Sequence, residues 1–490
     1  MTTLQGIGRA AGVLLHPTSL PSGKLDADAF RWLDWLAEAG FRVWQMLPLG
    51  VPLVGLSPYQ CASAFAVNPG LFAEPLTPSP SPSRGEGSKT SFSLDSLSPS
   101  PLEGEGLGVR GKNFDLWYDN QKHWVEDYAL FMVLKQQFHG QEWHEWPAAF
   151  RSRDPEALFR LRGEQAEALA IIIHEQYTCW QQWQTLRGYA QARGVYLFGD
   201  MPIFVAYDSA DVWANPQRFL LDATGAPTFV TGVPPDYFSE TGQRWGNPHY
   251  NWATMQAENF LWWKQRLQYH FEFFDLVRLD HFRGLAASWM IPSTEQTAIN
   301  GFWQDVPGDA MLASIQADMG KIPLVAEDLG IITPDVTALR NKYGLPGMSV
   351  LQFAFDHFED NPHKPQNVRE NTVYYTGTHD NDTLLGWFLN LDEGMQQHVM
   401  RILGITEPEQ LTDTMLATIL ASPALLAVIP WQDLLRLGTE ARMNIPGTVE
   451  GNWQWRFAWN DVPAGLASQL HNKLQGHQRN ERASEPDTTR

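Results

Sequence analysis

Cysteine is scarce in this chain. Its 490 residues include two cysteines, Cys61 and Cys179, and no Cys-x-x-Cys. That excludes a disulfide framework, and a reducing cytoplasm is the expected compartment. Positive charge is short as well: 35 Lys and Arg stand against 55 Asp and Glu, a net charge of −20. Nucleic acid and anionic membrane are disfavoured as partners. Long hydrophobic runs are missing, with no stretch of about 18 apolar residues to span a bilayer. The start, MTTLQGIGRAAGVLLHPTS, lacks the charged-then-apolar pattern of a signal peptide. There is no Gly-x-x-x-x-Gly-Lys followed by Ser or Thr, no Gly-x-Gly-x-x-Gly directly after the first apolar run and no Gly-x-Ser-x-Gly elbow. Phosphate-loop, dinucleotide and serine-hydrolase chemistry lose their usual signatures.

Aromatic residues, in contrast, are plentiful: 21 Trp, 26 Phe and 13 Tyr. Most must be packing, although this density also suits a protein that stacks the flat faces of sugar rings. Eight short apolar runs end in Pro, Gly or charge. They begin at residues 12, 41, 195, 274, 322, 348, 372 and 425. Being apolar on both faces, they have the pattern of buried parallel strands. DADAFRWLDWLAEAG (26–40) has an Asp start, spaced apolar residues and a Gly stop, which predicts a helix. Eight strands with intervening helices predict an α/β fold, a (β/α)₈ barrel.

The spacing predicts one barrel over 1–472, with its largest insertion at about 50–194, and a polar tail over 473–490. Within the insertion, residues 75–112 are rich in Pro, Ser and Gly and carry an imperfect repeat, PSPSRGEG and PSPLEGEG. Such composition cannot bury enough apolar surface to order itself. A surface excursion without chemistry is expected there, of the kind a translated repetitive DNA element would leave.

In such barrels the active site lies at the C-terminal strand ends. The fourth run, FDLVRLDHFRG, ends in Arg278, Asp280 and His281; the fifth in Glu327 and Asp328; the seventh in His379 and Asp380, with Asp382 just beyond. Residues i and i+2 of a strand share a face, so Arg278 would lie beside Asp280 and keep that carboxylate ionised, as a nucleophile requires. A structural ion pair explains the same pattern. Glu327 beside an ionised carboxylate would hold its proton to neutral pH, while a carboxylate facing a helix start is the plain alternative for Glu327 or Asp328. One of those two should face the pocket. His281 and His379 admit a metal reading, but the first strand end supplies only His16. Arg283 has no evident role beyond a salt bridge at the strand exit.

Taken together, FDLVRLDHFRG, LVAEDLG and YTGTHDND resemble the amylomaltases, the 4-α-glucanotransferases related to the α-amylases. LLHPTSLPS, WQMLPLG, SPYQCASAFAVNP, GDMPIFVAYDSADVWANPQRF, GVPPDYFSETGQRWGNPHYNW and ARMNIPGT extend the resemblance from about residue 12 to 457. It implies a barrel with largely helical insertions and no separate C-terminal β domain. It implies Asp280 as nucleophile, Glu327 as acid/base and Asp380 as a third carboxylate that clamps the distorted sugar. Arg278, His281 and His379 would support the transition state, with Asp200 beside the arginine. Ser57, Tyr59 and Trp245 would bind glucose rings, the last from a lid over 232–246. The implied substrates are maltodextrins, with no metal, no cofactor and a monomer or weak homo-oligomer. A hydrolase of the same superfamily and a non-catalytic glucan-binding barrel are the alternatives. The chain departs from the usual family pattern at Leu56, where an Asp is common, and at Val67, where a Gly is common. Outer acceptor contacts are the part those departures touch.

Overall fold

The computed structural model describes residues 3–53, 55–73, 107–235 and 239–480, with the backbone alone for 107–112. The described residues form twelve strands, in two sheets. In chain order they are β1 Ala10–Leu14, β2 Val43–Gln45, β3 Tyr196–Met201, β4 Phe229–Val233, β5 Gln243–Pro248 and β6 Leu276–Leu279. Then follow β7 Ala287–Pro292, β8 Phe302–Asp305, β9 Leu324–Ala326, β10 Gly347–Val350, β11 Thr372–Tyr375 and β12 Leu426–Pro430.

Eight of these form a parallel sheet in the order β10-β11-β12-β1-β2-β3-β6-β9. Its two edges meet, because the Ala326 N–H donates to the Pro346 carbonyl at 2.8 Å. The result is a (β/α)₈ barrel. All eight apolar runs supply a barrel strand. The helix Ala27–Ala39 follows β1, capped by the Asp26 side chain and ended by Gly40 at φ 84°, as its sequence signals require.

Strand parity divides the core. Leu276, Phe198, Val325, Val373 and Val428 belong to a cluster inside the barrel. Val277, Leu279, Leu197, Leu324 and Ala427 pack outward against the helices. The inward row of β6 therefore continues from Leu276 to Arg278. Most tryptophans serve this packing. Trp32, Trp44, Trp183, Trp263 and Trp431 are fully buried, and Trp44 and Trp183 bond their indole N–H groups to the carbonyls of Leu15 and Phe273.

Three features differ from the sequence expectation. The long helix Ala166–Ala192, placed by spacing in the insertion, also packs on Ala27–Ala39 and on β3, so its end belongs to the barrel's own helical ring. The segment between β10 and β11 contains, among the described residues, only the 3₁₀ turn Leu351–Phe353. The insertions are largely helical, as expected, and also hold a four-stranded antiparallel sheet, β5-β4-β7-β8. Part of the stretch predicted as a polar tail, 473–490, is packed instead. Residues 466–476 are helical, Leu474 is buried, and the buried Arg479 donates to the carbonyls of Leu420, Ile419, Ser422, Ala424 and Ala10. Arg479 thus caps the open carbonyls at the end of helix Leu411–Ala421. Of the excursion predicted over 75–112, residues 75–106 lie outside the described residues, as do the last ten of the chain, whereas 107–112 open the helix Leu107–Gln137. No helix among the described residues is long and apolar enough to cross a membrane.

Candidate active site

The register of three neighbouring strands assembles the site. β3 pairs with β6 so that Asp200 lies opposite Arg278. β6 pairs with β9 so that Leu279 lies opposite Ala326. The next residues, Asp280 and Glu327, therefore stand side by side on strands about 4.8 Å apart. Asp200 follows the inward Phe198 by two, and Glu327 follows the inward Val325 by two. Parity turns all of these side chains into the barrel mouth.

Arg278 joins two carboxylates. Nη1 donates to Asp200 Oδ2 at 2.6 Å and Nη2 donates to Asp280 Oδ1 at 2.7 Å. The guanidinium is 6% exposed, Asp200 0% and Asp280 29%. Asp200 is thus the buried counter-ion, and Asp280 is the one that meets solvent. Burial works against the Arg278 charge, but Asp200 and Asp280 outweigh it and hold its pKa well above the usual value. A buried guanidinium left without its carboxylate would cost several kcal/mol. Tyr59 completes the cluster. Its hydroxyl donates to Asp200 Oδ2 at 2.8 Å and accepts from His379 Nε2 at 2.9 Å. Burial, then Asp200, raise the Tyr59 pKa well above its ordinary value, so the hydroxyl keeps its proton.

Glu327 and Asp328 separate as their alternation demands. Glu327 Oε2 accepts from the His281 N–H at 2.7 Å, and Oε1 accepts from the Leu329 N–H at 3.0 Å. Burial pushes the Glu327 carboxyl up; Arg278 opposes this, Asp280 adds to it, and the balance lies at about 7. Asp328 points away, pairing with Arg340 and accepting from the Met348 N–H at 2.7 Å. It joins β9 to β10 rather than facing a helix start. His281 adopts φ 50°, a left-handed conformation uncommon outside glycine, and this turns its N–H onto Glu327. Burial lowers the His281 pKa to about 4, against the pull of Asp280, so the ring is neutral at pH 7. Trp245, on β5, meets that ring edge-on at 4.9 Å.

Asp380 comes from the loop after β11. Its Oδ2 lies 3.4 Å from His379 Nε2, and its side chain is 47% exposed. Asn444 Nδ2 donates to Oδ1 and Arg442 Nη2 donates to its carbonyl, both at 2.6 Å. Arg442 and Asn444 were absent from the site residues expected from sequence. ARMNIPGT stands outside any strand, and only the folded chain carries position 444 to position 380. Trp453 was likewise missed; it packs 6.2 Å from Tyr59 and 5.9 Å from His379.

The structure brings together Asp200, Arg278, Asp280, Tyr59, His379, Asp380, His281, Glu327 and Trp245. Ser57 stands apart from this network: its Oγ accepts from the Tyr59 N–H at 3.3 Å and so shapes the turn. Asp382 braces its own loop, accepting from Thr439 at 2.8 Å and Asn390 at 3.1 Å. Among the described residues Arg283 makes no salt bridge: it donates to the Ile331 carbonyl and to Thr333 Oγ1, and stacks over Trp303. The expected lid is the β4–β5 hairpin, whose residues 236–238 lie outside the described residues.

The profile of a family described as 4-alpha-glucanotransferase matches residues 14–79 and 103–461. The gap falls inside the repetitive stretch. A 4-alpha-glucanotransferase of Thermus thermophilus is 46% identical over 92% of this chain and 95% of its own length. One of Synechocystis is 42% identical over 96% of both chains. The amylomaltase of Streptococcus agalactiae, solved in complex with acarbose, superposes with a TM-score of 0.85 at 33% identity, covering 96% of this chain and 99% of that one. With its barrel, its clustered carboxylates and these matches along nearly its whole length, the chain belongs to the 4-alpha-glucanotransferase family.

Proposed function

We propose that the chain transfers α-1,4-glucan segments between maltodextrins by a retaining double displacement. The observation that carries this reading is the side-by-side register of Asp280 and Glu327, with the first held by Arg278 and the second pushed up to about 7. Retaining glycosidic chemistry wants two carboxyls about 5–5.5 Å apart, one ionised and one protonated. Neighbouring strands supply nearly that spacing.

Asp280 attacks the anomeric carbon, and the bond to the leaving oxygen breaks as Glu327 gives that oxygen its proton. A glucosyl ester on Asp280 and a free glucan result. Glu327, now a carboxylate, takes the proton of an acceptor hydroxyl, whose oxygen displaces Asp280 and restores the α bond. Two inversions retain configuration. Arg278 neutralises Asp280 as it becomes the leaving group of the second step. Asp380, fixed by Asn444, accepts hydrogen bonds from sugar hydroxyls. The neutral His281 ring and Tyr59 offer further polar contacts, with Trp245 as an apolar wall. Tyr59 and Asp200 also hold Arg278 in place. The excess of acidic over basic residues suits a neutral glucan partner, and we place the protein in the cytoplasm as a monomer or weak homo-oligomer.

Incubation with maltotriose tests the function. Transfer yields glucose and a ladder of chains longer than maltotriose. Glucose and maltose alone, with nothing longer, would mean hydrolysis and overturn the proposal.

A further inference from the structure

Arg283 and Trp303 are unused by the chemistry above, yet they are built together. Trp303 lies on β8, the outer edge of the small sheet, and all four residues of β8 are exposed. The Arg283 guanidinium sits 4.0 Å from the Trp303 ring centre. Trp289, opposite Trp303 in the β7–β8 register, meets it edge-on at 5.1 Å. These contacts hold the indole, which is still 38% exposed. Arg283 Nη1 donates to the Ile331 carbonyl at 3.2 Å and to Thr333 Oγ1 at 2.9 Å. Its Nε and Nη2, and Trp303 Nε1, have no protein acceptor among the described residues. Ile331 beside them is 65% exposed. An indole held in place, free guanidinium donors and an aliphatic neighbour are the chemistry that takes one sugar ring: apolar C–H face on the aromatic, hydroxyls to the arginine.

The location indicates which sugar. Arg283 follows His281 by two residues, and the His281 N–H is bonded to Glu327. Ile331 and Thr333 follow Glu327 by four and six. The pair therefore lies on the Glu327 side of the cleft. Glu327 protonates the leaving oxygen, so the leaving segment, and later the acceptor, occupies that side. We propose that Arg283 and Trp303 form an outer binding platform for the leaving and acceptor segment of a long α-1,4-glucan. This rests on the transferase reading above.

Two substrates separate the platform from the catalytic centre. An outer platform of this kind predicts contact with the longer maltoheptaose and none with maltotriose. In Trp303→Ala, the ratio of kcat/KM for maltoheptaose to that for maltotriose should fall about fivefold, the size expected for losing one stacked ring face. Arg283→Met, which keeps an apolar stem over the indole, should move the ratio in the same direction. An unchanged ratio in both variants overturns the platform, even if both constants fall together, because a merely structural role affects both substrates alike. A binding readout keeps the test independent of catalysis. In a native gel containing glycogen, wild type should be retarded and Trp303→Ala less so. Equal retardation, or no retardation of wild type, also overturns the platform. If wild type builds no longer chains from maltotriose yet is retarded more than Trp303→Ala, the transferase reading fails and the glucan platform stands.

Discussion

Glu327 shows how one carboxyl is tuned by competing neighbours. Two backbone N–H groups and Arg278 favour its anion, while burial and Asp280 favour its acid, and the balance of about 7 suits a group that both gives and takes a proton. For the first step the proton must be present. We expect kcat/KM to fall about tenfold per pH unit above about pH 7 as Glu327 ionises, measured on maltotriose between pH 5 and 9. A flat profile to pH 9 would remove Glu327 as the acid. Glu327→Gln should lower kcat by about 10²–10⁴-fold on maltotriose. With an α-maltosyl fluoride donor the variant should still release close to one equivalent of fluoride, because fluoride leaves without a proton. Loss of that burst would place the defect elsewhere than in acid catalysis. At this scale FDLVRLDHFRG shows its logic: parity puts Arg278 beside Asp280 in any extended strand. The second partner of Arg278, Asp200, comes from another strand 78 residues earlier.

At the scale of the element, β3 and β6 are fitted closely. A Cβ on Gly199 would lie 2.3 Å from the Phe274 ring, whereas one on Gly188, in helix Ala166–Ala192, would meet nothing within 4 Å. Gly199→Ala should therefore cost about 1–3 kcal/mol or more through overpacking, and it should lower kcat because Asp200 is the next residue. Gly188→Ala should stabilise by about 0.4–1 kcal/mol, since alanine suits a helix and restricts the unfolded chain. Urea unfolding of the two variants checks the contrast, and equal stabilities would refute the fit. The eight barrel strands were legible because burial on both faces leaves an uninterrupted apolar run. The small sheet was not. β8 is exposed throughout and β5 is exposed at its start, so neither carries the alternation or the apolar run that marks a strand.

The molecule as a whole joins its two ends. β1 pairs with β12, and Arg479 bonds to Ala10, so closure of the barrel depends on contacts across almost the full length of the chain. The insertion is the counterpart. The family profile passes over residues 80–102, and their composition offers little apolar surface to pack. Replacing 80–102 with a short Gly-Ser link should leave the melting temperature within about 2 °C, a shift worth about 2 kcal/mol in a chain of 490 residues, and maltotriose transfer within twofold of wild type. A drop in either beyond those limits would give the repeat a role that its composition does not suggest.

By itself the sequence determined the eight barrel strands, the parity of Arg278 with Asp280, and the three strand ends that carry carboxylates. These follow from local rules: burial sets the apolar runs, and the two-residue period of a strand sets which side chains share a face. Tertiary structure alone decided the rest. It set the register that stands Asp280 beside Glu327, the turning of Asp328 toward Arg340, the clamp of Asn444 on Asp380, and the stack of Arg283 on Trp303. Each of these joins residues far apart along the chain or on separate elements, and no local period records such a meeting. Only the packing of those elements against one another brings them into contact.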